Sequence, residues 1–389
     1  RHTGRSNTSR PEGALIWGHA TRAEHVFPMC QLAEKLQNQR PDCTLLLSLA
    51  KGVEDDGDSD DPGVITAQLP AETTASIESF LEFWKPDFVL WTAGNLNATF
   101  VDRIARRNIP LGLVSAEAEL LSTSAWRWFK GTSRATLNKL NFVFTVDAAS
   151  LREVQSLKLD QVDVALGGPF MESGMSLPYR EAERSEMAEL LLGRPIWLAA
   201  HATEPELALL LEAHRSVMRY SHRALLILVP ETSADQDDFM EKLEASGLRT
   251  IRWSDGDTPG EATQIVLADV EGELGLWYRL APISFMGNSM VRGMTGSDPN
   301  EPAAHGSAIL HGPYVGHRAS SYARFTEAAA ARRVTDAASL AAAVTRLIQP
   351  DQSASMAHAA WEVASRGSAL ADMIADRILD HIDQAGSRP

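Results

Sequence analysis

The stretch that decides the fold is ALIWGHATRAEHVFPMCQLAEKLQNQRPDCTLLLSL, residues 14–49. Its apolar runs at 14–17 and 44–49 predict two strands, and the amphipathic segment at 26–37 predicts a helix between them. Short apolar runs that alternate with amphipathic segments are typical of parallel strands joined by helices. The chain therefore opens with a strand, a helix and a second, parallel strand.

The same alternation continues through most of the chain and predicts an α/β fold. Further strands are predicted at 88–91, 111–115, 142–146 and 162–166, with a helix at 95–107, before Gly167-Gly168-Pro169 breaks the pattern. After a polar segment the alternation restarts, with strands predicted at 196–199, 225–229, 264–267, 283–286 and 308–310. The pattern therefore predicts two doubly wound sheets, one after the other along the chain. Such sheets bind ligands beyond the carboxyl ends of their strands.

The restart also predicts the domain organisation. We expect a disordered or engineered terminus at 1–13, a Rossmann-like domain at 14–172, a linker at 173–192, a second Rossmann-like domain at 193–355, and a C-terminal helix at 356–389 that packs back towards the first domain. Leu370, Ile374, Ile378 and Ile382 fall on one stripe of that helix. Trp84 and Trp91 flank a strand and are predicted to lie in the core.

Composition excludes several classes of function. The chain of 389 residues carries 36 basic and 51 acidic side chains, a net charge of −15, so it is not expected to bind nucleic acid. Its two cysteines, Cys30 and Cys43, lack metal-binding spacing and predict neither a metal site nor a disulfide framework. No apolar run approaches the roughly 20 residues that a membrane span requires.

The strongest local signal lies in the second half of the chain. Gly272-Glu273-Leu274 is followed by Phe285-Met286-Gly287-Asn288-Ser289-Met290 and then by Asp298-Pro299-Asn300-Glu301-Pro302. Small residues after a strand let backbone N–H groups approach an anion, and a proline can open a helix whose N-terminus favours phosphate. Glu301 would then accept hydrogen bonds from ribose hydroxyls. The alternative is an ordinary strand-to-helix turn with Asn300 and Glu301 as caps.

In order and spacing, these blocks resemble the second-domain signature of the transferases of Kdo (3-deoxy-D-manno-octulosonic acid), which has a GEL tripeptide, a GGS turn and an N-P-L-E run. The resemblance continues to Gly312-Pro313, and the segment from Trp197 to Glu206 is similar to the family's loop ending T-H-E-G-E. In the first half, the segment from Trp17 to His25 resembles the family's H-A-x-S-V-G-E loop. The resemblance implies GT-B architecture, with two Rossmann-like doubly wound domains facing a cleft.

The resemblance also implies site residues. Those implied to bind the donor are His201, Thr203, Glu204, Glu273, Gly287, Asn288, Ser289, Asn300 and Glu301, and those implied to bind the acceptor are His19, Thr21, Arg22 and Asn95. The family's catalytic base is the Glu that ends its first loop, and ungapped comparison places His25 on it with Glu24 just before. Either side chain can accept a proton near pH 7, so both are candidates for the base. Both can equally be ordinary residues of a first helical turn.

Three departures affect the substrates. Residues 93–98 replace the family's acidic E-x-E-L-W-P run, Glu117 stands where the family has an arginine, and Glu231 stands where it has a basic residue. A carboxylate in place of a cation repels a phosphorylated acceptor or an acidic sugar unless other basic residues compensate. The acceptor and the sugar therefore stay open.

By resemblance, the reaction is transfer of Kdo or a related sugar from a CMP-activated donor to a lipid A-type glycolipid, with inversion and with neither a metal nor a cofactor. The implied location is cytoplasmic, peripheral at the cytoplasmic face of a bacterial inner membrane. A further aromatic and basic run is Trp126-Arg127-Trp128-Phe129-Lys130. We interpret it as part of a buried helix, with contact to the membrane surface as the alternative. Two other functions stay open: a catalytically degenerate paralogue that binds a nucleotide or glycolipid, and a GT-B-like UDP-sugar epimerase.

Overall fold

The computed structural model describes residues 9–53, 63–94, 96–121, 130–174, 176–232 and 236–386. The chain divides into two compact units. Unit 1 comprises Arg1–Ser173 and Arg366–Pro389, and unit 2 comprises Gly174–Ser365.

Unit 1 is built on a seven-stranded parallel sheet. Its strands are β1 (Ala14–Ala20), β2 (Cys43–Leu49), β3 (Val64–Gln68), β4 (Phe88–Thr92), β5 (Leu111–Ala116), β6 (Phe142–Thr145) and β7 (Asp163–Leu166). Its helices, apart from the last of the chain, are α1 (Val26–Gln39), α2 (Thr74–Trp84), α3 (Ala98–Arg106), α4 (Ala118–Leu121), α5 (Lys130–Leu137) and α6 (Ala148–Ser156). The strand order is β3-β2-β1-β4-β5-β6-β7, so the winding reverses between β1 and β4. Ligands of doubly wound sheets bind at this kind of reversal.

Unit 2 repeats the plan. Its strands are β8 (Ile196–Ala202), β9 (Leu225–Pro230), β10 (Thr250–Arg252), β11 (Ile265–Leu267), β12 (Ile283–Met286), β13 (Ala308–His311) and β14 (Ala331–Arg333). The helices are α7 (Glu181–Leu190), α8 (Glu204–Tyr220), α9 (Gln236–Ala245), α10 (Leu274–Leu280), α11 (Asn300–His305), α12 (Ala319–Glu327), α13 (Ala337–Leu347) and α14 (Pro350–Gly386). The order β10-β11-β9-β8-β12-β13-β14 places the reversal between β8 and β12. The predicted fold class, two doubly wound α/β units, is confirmed.

Aromatic and aliphatic side chains from both faces of each sheet form the cores. In unit 1, Trp84 and Trp91 are buried against Trp17 and Phe80, as predicted. The predicted stripe of α14 is confirmed, because Leu370, Ile374, Ile378 and Ile382 are all buried in the unit 1 core. Earlier in α14, Ala360 and Ala364 belong to the core of unit 2. The range 173–192, expected to be a linker, contains α7, whose Met187 is buried in the core of unit 2.

The sequence patterns located the interior strands and missed β3, β10 and β14. Each of these three lies at an edge of its sheet, where most side chains are exposed or only half-buried. An edge strand needs no continuous apolar run, so its pattern is weak. None of the helices in the described ranges combines the length and the apolarity that a membrane span requires.

Candidate active site

His201 lies at the carboxyl end of β8, beside the reversal of the unit 2 sheet, and is held between two carboxylates. Its Nδ1 lies 2.9 Å from Oε2 of Glu231, and its Nε2 lies 2.9 Å from Oε2 of Glu301. Burial alone would lower the pKa of His201, but the hydrogen bonds to the two carboxylates outweigh it and raise the pKa to about 10. His201 is therefore a cation at neutral pH.

Glu301 is fixed from several sides. Its Oε2 accepts a hydrogen bond from the hydroxyl of Tyr278 at 3.0 Å, in addition to the one from His201. Burial favours the protonated acid, but the hydrogen bonds and charges of His201, Tyr278 and Arg318 together outweigh it and hold the pKa of Glu301 below its ordinary value. Both bonds go to Oε2, and no hydrogen bond from a described residue reaches Oε1, so Oε1 can accept hydrogen bonds from a ligand.

Helix α11 begins beside this carboxylate. The backbone N–H and the side-chain amide of Asn300 both donate to Oδ1 of Asp298, at 2.9 and 2.8 Å. Burial raises the pKa of Asp298, although Arg318 lies 3.8 Å from the same oxygen and opposes that shift. The side chain of Asp298 thus accepts the first backbone N–H of α11, and Pro299 rather than Asn300 occupies the N-cap position.

The loop after β12 holds an anion, and that anion belongs to the protein itself. Three successive backbone N–H groups, those of Asn288, Ser289 and Met290, donate to the carboxylate of Glu206 at 2.8 to 2.9 Å. Glu206 is fully buried and also accepts from the hydroxyl of Thr203 at 2.8 Å. The expectation that these amides receive a ligand anion is thereby corrected, because an internal carboxylate already occupies them.

Gly287 permits a close backbone crossing at the same place. A Cβ at this position would lie 2.3 Å from the backbone oxygen of His201, well inside van der Waals contact. The glycine is therefore required by the packing of the loop against the end of β8.

The other predicted donor residues of unit 2 have protein partners. Thr203 is the N-cap of α8, with Glu206 completing a capping box. Glu204 forms an exposed ion pair with Lys242. Glu273 accepts a hydrogen bond at 2.7 Å from the indole N–H of Trp253, which packs edge-on against Trp277.

In unit 1, three of the predicted acceptor residues lie at the carboxyl end of β1 and in the loop after it. His19 is buried, packs against the ring of Trp91, and has its Nδ1 2.9 Å from the hydroxyl of Ser48. Burial lowers the pKa of His19 to about 4. Thr21 is tied to Thr92 at the end of β4, through its backbone N–H at 3.0 Å. Both residues fix this loop where the unit 1 sheet reverses.

Arg22 is the cation of the same loop. It donates to Glu117 at 2.6 Å and to Glu24 at 3.3 Å. Glu117 is one of the two carboxylates that stand where the related family has a cation, and Glu231 is the other. Each is therefore paired with a cation at the carboxyl end of the first strand of its own unit, Arg22 just after β1 and His201 within the last residues of β8.

Glu24 and His25, the two candidate bases, differ sharply in accessibility. The side chain of Glu24 is 49% exposed, whereas that of His25 is 2% exposed. Burial lowers the pKa of His25 to about 4, and its Nδ1 has no hydrogen-bond partner among the described residues. Of the two, Glu24 is the group that a substrate in solution can reach.

Two predicted features cannot be placed. Asn95 and the aromatic run 126–129 lie outside the described residues, as does the side chain of Lys130. Sequence reasoning also missed Glu206, Tyr278 and Trp253. Of these, Glu206 carried a detectable signal, because Thr203 followed three residues later by a glutamate predicts a capping box.

The chain is similar to several known proteins. Residues 1–170 match the family model described as 3-deoxy-D-manno-octulosonic-acid transferase (kdotransferase). A probable mitochondrial 3-deoxy-D-manno-octulosonic acid transferase of Arabidopsis thaliana is 25% identical over 328 residues, covering 81% of this chain and 72% of the plant protein. A 3-deoxy-D-manno-octulosonic acid transferase of Haemophilus influenzae is also 25% identical, covering 80% of this chain and 73% of that protein.

Two solved structures from Acinetobacter baumannii are also similar. One is a C-terminal CMP-Kdo binding domain, 23% identical with a TM-score of 0.39, covering 54% of this chain and all of that one. The other is MurG, 13% identical with a TM-score of 0.47, covering 95% and 99% of the two chains. The first 170 residues thus match the Kdo transferase model, and four fifths of the chain are similar to Kdo transferases of a plant and a bacterium.

Proposed function

We propose that the chain transfers Kdo or a related sugar from a CMP-activated donor to a lipid A-type glycolipid, with inversion and without a metal. The names of its plant and bacterial relatives support the sugar. The observation that carries the proposal is the fixed carboxylate of Glu301, which lies beside the ligand-binding reversal of unit 2 with Oε1 left to a ligand. This oxygen would accept the ribose hydroxyls of the nucleotide.

Glu24 is the proposed catalytic base. Its exposed carboxylate takes the proton of the acceptor hydroxyl while that oxygen forms a bond to the anomeric carbon of the donor sugar. The bond from that carbon to the phosphate oxygen breaks, and CMP leaves with the electron pair. One displacement inverts the anomeric centre, and a CMP-sugar has a single bridging phosphate that fixed charges of the protein can stabilise.

A glycolipid acceptor also suggests where the protein works. Its lipid lies in a membrane while a nucleotide-sugar is water-soluble, so we propose peripheral association with the cytoplasmic face of a bacterial inner membrane. Flotation of the protein with vesicles that contain lipid A, compared with vesicles of neutral lipid, tests this location. Recovery at the bottom of the gradient in both cases would refute it.

Thermal unfolding with CMP, UDP and GDP in parallel tests the donor. A ligand at 100 times its dissociation constant adds about 2.7 kcal/mol to the folded state, so selective stabilisation by CMP is expected. Stabilisation by UDP alone would indicate the epimerase or another donor, and no response would indicate the degenerate paralogue. Transfer that survives EDTA would support metal independence, whereas loss of transfer that a divalent cation restores would refute it.

A further inference from the structure

The two carboxylates that hold His201 are not equivalent. Glu301 is 23% exposed and has a second donor in the buried Tyr278. Glu231 follows β9 on the neighbouring loop, is 34% exposed, and lies 2.9 Å from the other nitrogen of His201. The ring is therefore anchored through Nε2, and its Nδ1 faces the more accessible partner.

We propose that Nδ1–H of His201 is an anion-binding subsite that the carboxylate of Glu231 occupies until an anionic group of the donor displaces it. This inference rests on the proposed function, because it names the group that receives the negative charge of a CMP-sugar. The displacing anion is a phosphate or a carboxylate. Glu231 thus acts as an internal competitor that sets the affinity for the donor.

Charge supports this assignment. His201 stays protonated at neutral pH, and together with Glu231 and Glu301 it carries a net charge of −1. A cluster of that charge repels an anionic ligand, whereas His201 with Glu301 alone is neutral and presents a directed donor. Displacement of the Glu231 side chain alone is therefore enough to change a site that repels an anion into one that binds it.

The backbone amides of the loop after β12, which could also receive an anion, already have an acceptor. Glu206 occupies the three amides of the loop after β12 from a fully buried position. Glu206 cannot leave without opening the core, whereas the side chain of Glu231 is 34% exposed and can leave. This difference in exposure between Glu231 and Glu206 is why we place the anion subsite at His201 and not at the loop amides.

The backbone conformation of His201 allows a substitution that removes the imidazole without straining the chain. Its φ of 53° is in the left-handed region, which asparagine tolerates better than most residues. His201→Asn therefore removes the cation while keeping the local chain path. Glu231→Gln removes the competing charge, and Glu212→Gln, an exposed residue of α8, removes the same charge elsewhere in unit 2.

Isothermal titration with CMP, cytidine and free Kdo tests the subsite. Glu231→Gln should bind CMP or Kdo at least fivefold more tightly than the wild type, with cytidine unchanged within twofold and Glu212→Gln like the wild type. His201→Asn should bind the same anion at least tenfold more weakly. Tighter binding of CMP by Glu231→Gln would assign the subsite to phosphate, and tighter binding of Kdo would assign it to the sugar carboxylate.

Several outcomes would overturn the inference: equal or weaker binding of both anions by Glu231→Gln, an equal gain for cytidine, a similar gain in Glu212→Gln, or no binding by any variant. Failure of the proposed donor is distinguishable. If the wild type binds UMP in place of CMP, the same differences should appear between UMP and uridine, so the subsite would stand while the donor would change.

Discussion

The carboxylate of Glu206 accepts the backbone N–H of Ser289 at 2.9 Å, across 83 residues of sequence. The same side chain accepts the N–H groups of Asn288 and Met290 and the hydroxyl of Thr203. A buried charge with this many donors ties the start of α8 to the loop after β12. It gives that loop its shape before any ligand arrives.

Glu206→Gln should therefore destabilise unit 2. The amide group of glutamine would face backbone donors that now reach a carboxylate, so we expect a loss of about 3 kcal/mol in the free energy of unfolding. Denaturant unfolding measures it, with Glu212→Gln on the same helix as the control. A loss below about 0.5 kcal/mol would show that the carboxylate is not what holds the loop.

Gly287→Ala should be destabilising for a steric reason. Its Cβ would lie 2.3 Å from the backbone oxygen of His201, so either the loop or the end of β8 must move, at a cost of about 2 kcal/mol or more. Gly260→Ala is the matched control, because no atom lies within 4 Å of the Cβ it would introduce. Equal melting temperatures for the two variants would contradict the close crossing.

Glu24→Gln should abolish turnover while the protein still folds and binds nucleotide. Removing a general base costs about 10² to 10⁴ in rate, so kcat should fall by at least 100-fold with little change in the affinity for CMP. His25→Leu should keep most of kcat, because the buried imidazole leaves Nδ1 without a described partner. The reverse pattern, an active Glu24→Gln and an inactive but stable His25→Leu, would move the base to His25.

Stability should fall on mild acidification. Burial lowers the pKa values of His19, His25, His214 and His311 to about 4, so the folded chain binds fewer protons than the unfolded chain between pH 4 and about 6.5. Their stabilising effect is complete above about pH 6.5 and is lost as the pH falls towards 4, by up to about 3 kcal/mol for each.

Denaturant unfolding at pH 7.5, 6 and 5 measures this dependence. His201 acts in the opposite direction, because its pKa is raised to about 10. Its stabilising effect is complete below about pH 6.5 and is lost as the pH rises from there towards 10, so between pH 7.5 and 6.5 it partly offsets the loss on acidification. Equal free energies of unfolding at pH 7.5 and 5 would contradict the neutral, buried histidines.

The sequence predicted the interior of both sheets because buried parallel strands must be apolar along their whole length. It missed the edge strand β3, which has half-exposed and exposed positions in its burial pattern. β7, another edge strand, was found because residues 162–166 are mostly apolar.

The candidate site was predicted in part. Gly287 and Ser289 did indicate an anion, but the sequence could not show that Glu206 supplies it. The sequence also showed carboxylates at Glu117 and Glu231, but it could not show which cations pair with them. Arg22 is 95 residues from Glu117, and His201 lies at the carboxyl end of β8 whereas Glu231 follows β9, so only the folded sheets bring these charges together.

The measurement that tests the central claim most directly is mass spectrometry of a lipid A-type acceptor after incubation with the protein and CMP-Kdo. We predict an acceptor heavier by one or more Kdo residues, with CMP released in equal amount and no product from Glu24→Gln. An unchanged acceptor and intact donor, under conditions where a bacterial relative completes the transfer, would contradict the proposed function.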